Sequence, residues 1–472
     1  MVLSSLFKRR AASSTEPLPP PPTPAPPPAW TPPPPSPLTL ELQAAASRRD
    51  RAAVEAAFDR VLATPGLQSY DLLSTGVALK ERGFPELGER LQLHLLELEP
   101  GYPPALYELG ATHRWIGRPQ RAMAAYRQAV DGAPDNFDYR QALAETLHAL
   151  GRHAEAEAET DQLQPLTEAH AKRIAVLRSF GLYLKAHPQA LAQRILSEIR
   201  REYGWIDAQA VAARIADAVA ERRPFALIRL GDGEGAFAEV GPEDEVRFAE
   251  LYGWMRADWV RFLFGPDFDP DATGYTTLTR TLMTAATEAD VLGLPYPNWV
   301  HHEYHIASPR GVPCVLNIHR NLLAHPPARR PVACDQVVHL QMHNAGLIEP
   351  IVRSARRLTV ISCLTGLGDL IKARFELEDV RMIAVPKEYT APHLRDAAHV
   401  DGAAFPDSYE ATMQALAQPH DGRLFIIAAG TLGKFYAAAI KRHGGIALDL
   451  GSLVDGWMRL PSRAGYDDSL AL

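Results

Sequence analysis

The chain is poor in cysteine, has no long apolar run and carries no strong surplus of charge. Its three cysteines, Cys314, Cys334 and Cys363, among 472 residues stand without CxxC spacing. That argues against a disulfide framework or a structural zinc, and for a reducing compartment. No apolar run approaches the roughly 20 residues that span a bilayer. The first ten residues place apolar side chains before Lys8-Arg9-Arg10, the reverse of a secretory leader, so a cytoplasmic protein without a transmembrane segment is expected. A net charge of −7 gives no general attraction for polyanions, which excludes nucleic acid as a principal partner. His302-Glu303-Tyr304-His305 is one residue short of the HExxH zinc spacing, and no GxSxG elbow occurs. His339 and His343 are read where a strand passes into a loop, with a ligand role disfavoured.

Proline, by contrast, is abundant: 40 residues, of which 14 fall between Pro17 and Pro37. Residues 1–38 are read as a disordered, polyproline-rich tether, either a spacer or a docking ligand for an aromatic groove. A period of 34 follows. It relates Gly76, Gly110 and Ala144, then Gly83, Gly117 and Gly151, then Gly88, Ala122 and Ala156, and finally Pro100 and Pro134. Small residues at that period permit close helix pairing, and glycine ends the first helix of each pair. With Leu106-Tyr107-Glu108-Leu109-Gly110 and Ala125-Tyr126 in place, residues 39–168 resemble tetratricopeptide repeats. Such an array implies a concave surface for a peptide or protein ligand, the alternative being a structural spacer.

Residues 169–199 keep a helical pattern and are read as a bridge. After Pro224 short apolar runs alternate with helical stretches: Phe225–Leu230, Val291–Leu294, Val312–Ile318, Gln336–Leu340, Leu358–Cys363, Val380–Val385, Leu424–Ala428 and Ile446–Leu450. Taken as buried strands, they predict an α/β domain with a Rossmann-like parallel sheet over residues 200–472.

Ligands of open parallel sheets bind beyond the carboxyl ends of the strands, which directs the search to two loops. The first, Arg229-Leu230-Gly231-Asp232-Gly233-Glu234-Gly235, follows the first strand. Asp232 and Glu234, flanked by glycines, can point to one side and hold a hard divalent cation, or simply form a solvated acidic turn. The second, Ala429-Gly430-Thr431-Leu432-Gly433-Lys434, opens a helix whose amides and Lys434 would attract phosphate. It lacks the Walker spacing, and Thr365-Gly366-Leu367-Gly368-Asp369 lacks the third glycine of the dinucleotide fingerprint. Tyr296-Pro297-Asn298-Trp299 could stack a base, although core packing accounts for it equally well.

The Arg-Leu-Gly-Asp-Gly-Glu block at 229–234, together with Ala-Ala-Gly-Thr-Leu-Gly-Lys-Phe-Tyr at 428–436 and Leu-Asp-Leu-Gly-Ser-Leu-Val-Asp-Gly-Trp at 448–457, is similar to the GT-D-fold glycosyltransferases. That resemblance implies a nucleotide-sugar donor, often UDP-glucose, and a Mn2+ or Mg2+ ion held by Asp232 and Glu234. Arg229, Gly231 and Gly233 would support that loop at the donor, and Gly430, Gly433 and Lys434 would contact the diphosphate. Asp449 and Asp455 recur in the last block as further donor-side candidates, or as a turn cap and a helix anchor. Val385-Pro386-Lys387-Glu388-Tyr389 matches a strand-end pattern of the family, with Glu388 as candidate acceptor base, whereas 393–406 departs from that pattern. The acceptor implied is a protein, glycopeptide or glycan. An S-adenosylmethionine-dependent methyltransferase and a non-catalytic scaffold are the competing readings.

Overall fold

The structure is a computed structural model, and it describes residues 34–48, 50–231, 233–391, 394, 397–460 and 470–472. The tether expected at 1–38 lies outside these residues as far as residue 33. Eight helices follow as four hairpins: α1 (Pro37–Ser47), α2 (Arg51–Ala63), α3 (Ser69–Glu81), α4 (Pro85–Leu98), α5 (Pro103–Trp115), α6 (Pro119–Gly132), α7 (Phe137–Ala149) and α8 (His153–Asp161). The 34-residue period has a direct physical meaning here. Gly83, Gly117 and Gly151 lie just past α3, α5 and α7 at φ of 93°, 74° and 70°. The next amide in each case bonds back to the carbonyl of Leu79, His113 or Leu147, closing the helix. Pro85, Pro103 and Pro119 begin α4, α5 and α6, where a missing N–H leaves no helical bond unmade. A Cβ on Gly88 would lie 2.8 Å from the Gly76 carbonyl, and one on Gly110 would lie 2.6 Å from the Tyr126 ring. The first hairpin has Leu42 and Val54 at the equivalent positions and buries both.

Three more helices lead into the sheet: α9 (Glu168–Ala186), α10 (Gln189–Tyr203) and α11 (Ala208–Glu221). Thr167 and Asp207 cap α9 and α11 through their side chains. One face of α9 packs Ile174 and Leu177 against Phe137 and Leu163. Farther along the helix, Phe180, Tyr183 and Leu184 are buried with Phe248, Tyr252 and Met255. Thus α9 belongs at once to the repeat stack and to a helical core of the following domain.

The remaining elements are β1 (Phe225–Arg229), α12 (Pro242–Arg247), α13 (Ala249–Phe264), α14 (Tyr275–Thr279), α15 (Leu282–Thr287), β2 (Val291–Leu294), α16 (Pro297–His305), α17 (Gly311–Ala324), β3 (Val332–Asp335), α18 (Val338–Asn344), α19 (Ile348–Ala355), β4 (Arg357–Ser362), α20 (Leu367–Phe375), β5 (Asp379–Ala384), α21 (Asp407–Leu416), β6 (Leu424–Ala428), α22 (Leu432–Arg442), β7 (Ile446–Asp449) and α23 (Leu453–Trp457). The seven strands pair in parallel in the order β3-β2-β1-β7-β6-β4-β5. Neighbouring residues Ile426 and Ile427 join opposite cores and are both fully buried, as a sheet covered on both faces requires. Each such side chain contributes about 1.5–3 kcal/mol.

Two expected strands are corrected. Val312–Ile318 lies inside α17, where Val312, Cys314, Val315, Leu316 and Ile318 are all fully or almost fully buried. A short run that is apolar on every side reads alike as buried strand or buried helix. Gln336–Leu340 is the turn into α18, and the strand is the preceding Val332–Asp335. His339 and His343 therefore sit on a helix. The chain after β1 runs to α13 on one face and the chain after β7 to α23 on the other. By the general rule for open parallel sheets, this divergence marks the carboxyl ends of β1 and β7 as the place to look for a ligand.

Candidate functional site

The loop leaving β1 is shaped by contact. None of Gly231, Gly233 and Gly235 adopts the positive φ that favours glycine; what requires glycine at 233 and 235 is close contact. A side chain at Gly233 would strike the ring of Trp259 on α13, and one at Gly235 would strike the backbone of Cys314 on α17. The loop is pressed between these helices, and Glu234 begins a one-turn 3-10 helix there. Its carboxylate is buried: Oε2 accepts the Gly231 N–H at 2.8 Å, while Oε1 lies 3.4 Å from Lys434 Nζ. Asp232, its expected partner, lies outside the described residues.

Lys434, on the first turn of α22, is buried and donates to Asp449 Oδ2 at 2.8 Å. Burial pulls its pKa down, but the carboxylates of Asp449 and Glu234 outweigh that, and the ammonium is held above its ordinary value. Asp449, at the end of β7, shows the converse. Burial raises it, while Lys434 and Arg229 hold its carboxyl below the usual range. Arg229 closes the set. Its backbone N–H meets Asp449 Oδ2 at 3.2 Å, Nε donates to the Asp449 carbonyl at 2.7 Å, and Nη1 donates to the Gln336 carbonyl at 3.0 Å and faces the His339 ring at 2.9 Å. The exits of β1, β6 and β7 are thereby joined through a series of charges, half-buried Arg229 and buried Asp449, Lys434 and Glu234.

The second loop is also internally engaged. The Gly433 amide bonds to the carbonyls of Ala429 and Gly430, and the Lys434 amide to that of Thr431. Gly433 packs on Ile427. Gly430 has φ 51°, and a Cβ there would lie 2.5 Å from Glu388 Oε1. Hence Glu388, leaving β5, rests against the backbone that leaves β6. Asp455 lies on α23 close enough to influence Cys363 beyond β4, whose thiol is pushed up to about 11 by burial, then by Asp455 and Glu388. Beyond β5 an open groove of about 520 Å3 is lined by Lys387, Tyr389, Thr390, His399 and Asp401, with Tyr389 exposed.

Sequence reasoning passed over Tyr275 on α14 and Trp259 on α13. The Tyr275 hydroxyl is buried and makes no hydrogen bond with a described residue. Burial, then Glu234, then Glu388 raise its pKa, which places it in the field of both carboxylates. Trp259 Nε1 and Gln336 Oε1 are likewise buried without a partner among the described residues. Such groups are rare unless a ligand or water completes them, and only three-dimensional placement reveals them. His339 serves Arg229, and His343 accepts from Trp457 Nε1 at 3.2 Å.

A family model described as a GT-D fold-like domain matches residues 206–457, and a tetratricopeptide repeat model matches residues 116–178. No curated protein matches the chain. Among solved structures, a mutant O-GlcNAc transferase of Thermobaculum terrenum is similar over 82% of this chain and 76% of that one, at 14% identity and a TM-score of 0.25; so low a score carries no argument. The first match takes in every strand of the sheet and the whole Arg229–Asp449–Lys434–Glu234 series, and covers more than half of the chain. The chain therefore belongs to the GT-D fold-like family, a glycosyltransferase preceded by tetratricopeptide repeats.

Proposed function

We propose that the chain is a metal-dependent hexosyltransferase, moving a sugar from a UDP-sugar such as UDP-glucose to a protein, glycopeptide or glycan acceptor that the repeats recruit. The observation that supports this reading above all is the buried Glu234 at the exit of β1, inside a domain matched as GT-D-like. Among the described residues no three His, Cys, Asp or Glu side chains stand together as a metal cage. The reading therefore depends on two carboxylates of one loop, Asp232 and Glu234. That donor set fits Mn2+ or Mg2+, which keep water and substrate phosphate oxygens as further ligands. A cation held there would offset the charge that develops on the diphosphate as the sugar–phosphate bond breaks.

The chain's own groups have separate tasks. Lys434 and Arg229 fix Glu234 and Asp449 from below, so the loop is set before a donor arrives. Tyr275 offers a buried hydroxyl in the field of Glu234 and Glu388. Glu388, beside the open groove at Tyr389, accepts the proton of the attacking acceptor hydroxyl. A thermal-shift series with UDP, GDP, CMP and S-adenosylmethionine, each with and without manganese, tests the proposal. Stabilisation by UDP that requires manganese and is lost in Asp232→Ala is expected. A response to S-adenosylmethionine alone, or to no nucleotide in well-folded protein, overturns it.

A further inference from the structure

At the opposite end of the sheet, the amino ends of β1, β2 and β3 surround a small cavity of about 110 Å3. Four arginines reach it from three stretches of chain: Arg214 of α11, Arg223 just before β1, and Arg329 and Arg330 before β3. The one carboxylate on its wall, Asp290, is already engaged. Its Oδ2 accepts the Ala226 N–H at 3.0 Å and stands 2.8 Å from Lys441 Nζ, and Arg329 lies 3.7 Å from Oδ1. Outside the wall, Arg330 pairs with Glu202 at 2.8 Å and Arg223 with Glu221 at 3.0 Å. Arg214 makes no hydrogen bond or ion pair with a described residue. Five cations, the four arginines and Lys441, thus meet three carboxylates, Asp290, Glu202 and Glu221, leaving a surplus of two positive charges.

We propose that this cavity binds a phosphate-like dianion, remote from the transfer site. The surplus matches the charge of the ligand, and the volume admits a single tetrahedral oxyanion but no nucleotide. Planar guanidiniums suit such oxygens because each can offer two parallel N–H donors. Bound there, the dianion ties α11 and the segment before β3 to the starts of β1 and β2.

Titration calorimetry and melting of the full chain with inorganic phosphate, against chloride at equal ionic strength, test the proposal. Wild-type protein is expected to bind phosphate and to melt higher with it. Arg214→Gln with Arg329→Gln should weaken binding about tenfold or more, whereas Arg51→Gln on the repeat surface should not. Pyrophosphate distinguishes this cavity from the transfer site, because a pocket for one tetrahedral oxyanion should prefer phosphate, whereas a site for a donor diphosphate should prefer pyrophosphate. Equal phosphate binding in the double variant, or none in wild type, overturns the site. Should the double variant fold poorly by circular dichroism, Arg214→Gln alone, at an exposed position without a partner among the described residues, decides the matter by the same titration.

Discussion

Lys434 and Asp449 form a buried ion pair across the exits of β6 and β7, with Nζ 2.8 Å from Oδ2. Glu234 of the β1 loop stands on the other side of the same ammonium at 3.4 Å. Lys434 therefore acts as a keystone for the acidic loop as well as a charge at these strand exits. Replacing it by methionine leaves two carboxylates facing each other in the interior. We expect Lys434→Met to lose about 3–5 kcal/mol of stability, the usual consequence of breaking a buried pair from one side, measured by urea denaturation at neutral pH.

The same pair sets a pH dependence of definite sign. Asp449 is held below its ordinary value of 3.8, so its contribution is complete above that pH and fades as pH falls through the lowered folded value. Lys434 is held above 10.5, so its contribution is complete below that pH and fades as pH rises through the raised folded value. Denaturation midpoints from pH 3 to 11 should show both limbs in wild type. In Lys434→Met the alkaline limb should shrink, and the deficit against wild type should narrow towards acid as Asp449 takes up a proton. A deficit independent of pH would dissociate the stability of this site from its charges.

Glu234→Gln and Tyr275→Phe separate chemistry from folding. The first keeps the shape of the side chain but removes the charge, and sugar transfer should fall to background. The second removes a buried hydroxyl without a partner among the described residues, so stability should hold or rise. If a bound donor or acceptor completes that hydroxyl, transfer should drop about tenfold to a hundredfold, the worth of one hydrogen bond to a charged group. Turnover and melting temperature measured on the same preparations distinguish the two effects.

Gly110→Ala probes the repeats. Alanine in a helix gains about 0.5–1 kcal/mol over glycine, but its Cβ would lie 2.6 Å from the fully buried Tyr126 ring. Overpacking at about 1–3 kcal/mol outweighs the gain, and the repeat array should melt earlier. Hydrolysis of the donor by the catalytic domain should be unchanged at temperatures below that transition.

Removing the repeats calls for a repair. A chain beginning at Thr167 uncovers Ile174 and Leu177, which pack on Phe137 and Leu163, and should forfeit about 1.5–3 kcal/mol for each side chain exposed. Ile174→Ser with Leu177→Ser should restore solubility to the truncated protein. Use of a large acceptor by that chain, compared with full length, then reports what the repeats contribute.

Much of this was legible in the residues, because it is written at short range. The glycine and proline registers give the hairpins, and five of the apolar runs after β1 coincide with strands. The acidic loop follows β1 as read, but its glycines answer to Trp259 and Cys314, partners remote in sequence. Val312–Ile318 misled because this part of α17 is buried on every side, and β3 was misplaced because Val332-Ala333-Cys334-Asp335 holds a single β-branched residue, whereas Val337-Val338 just beyond it looks more strand-like. The charge series was hidden for a related reason: Arg229 and Asp449 are 220 residues apart, and no local pattern connects them. Tyr275 announces itself only through a hydroxyl without a described partner.

α9 is built into both halves of the molecule, and α13, which it packs against, carries the tryptophan that lies over Gly233. Arg114 of α5 adds a second fastening, donating to the Ile306 carbonyl just past α16 at 3.1 Å. The repeats are accordingly mounted like the fixed jaw of a caliper. On the proposed reading, an acceptor held by the repeats would meet the transfer site at one reach and one bearing, so that the span between grip and attacking hydroxyl would itself be a criterion of selection.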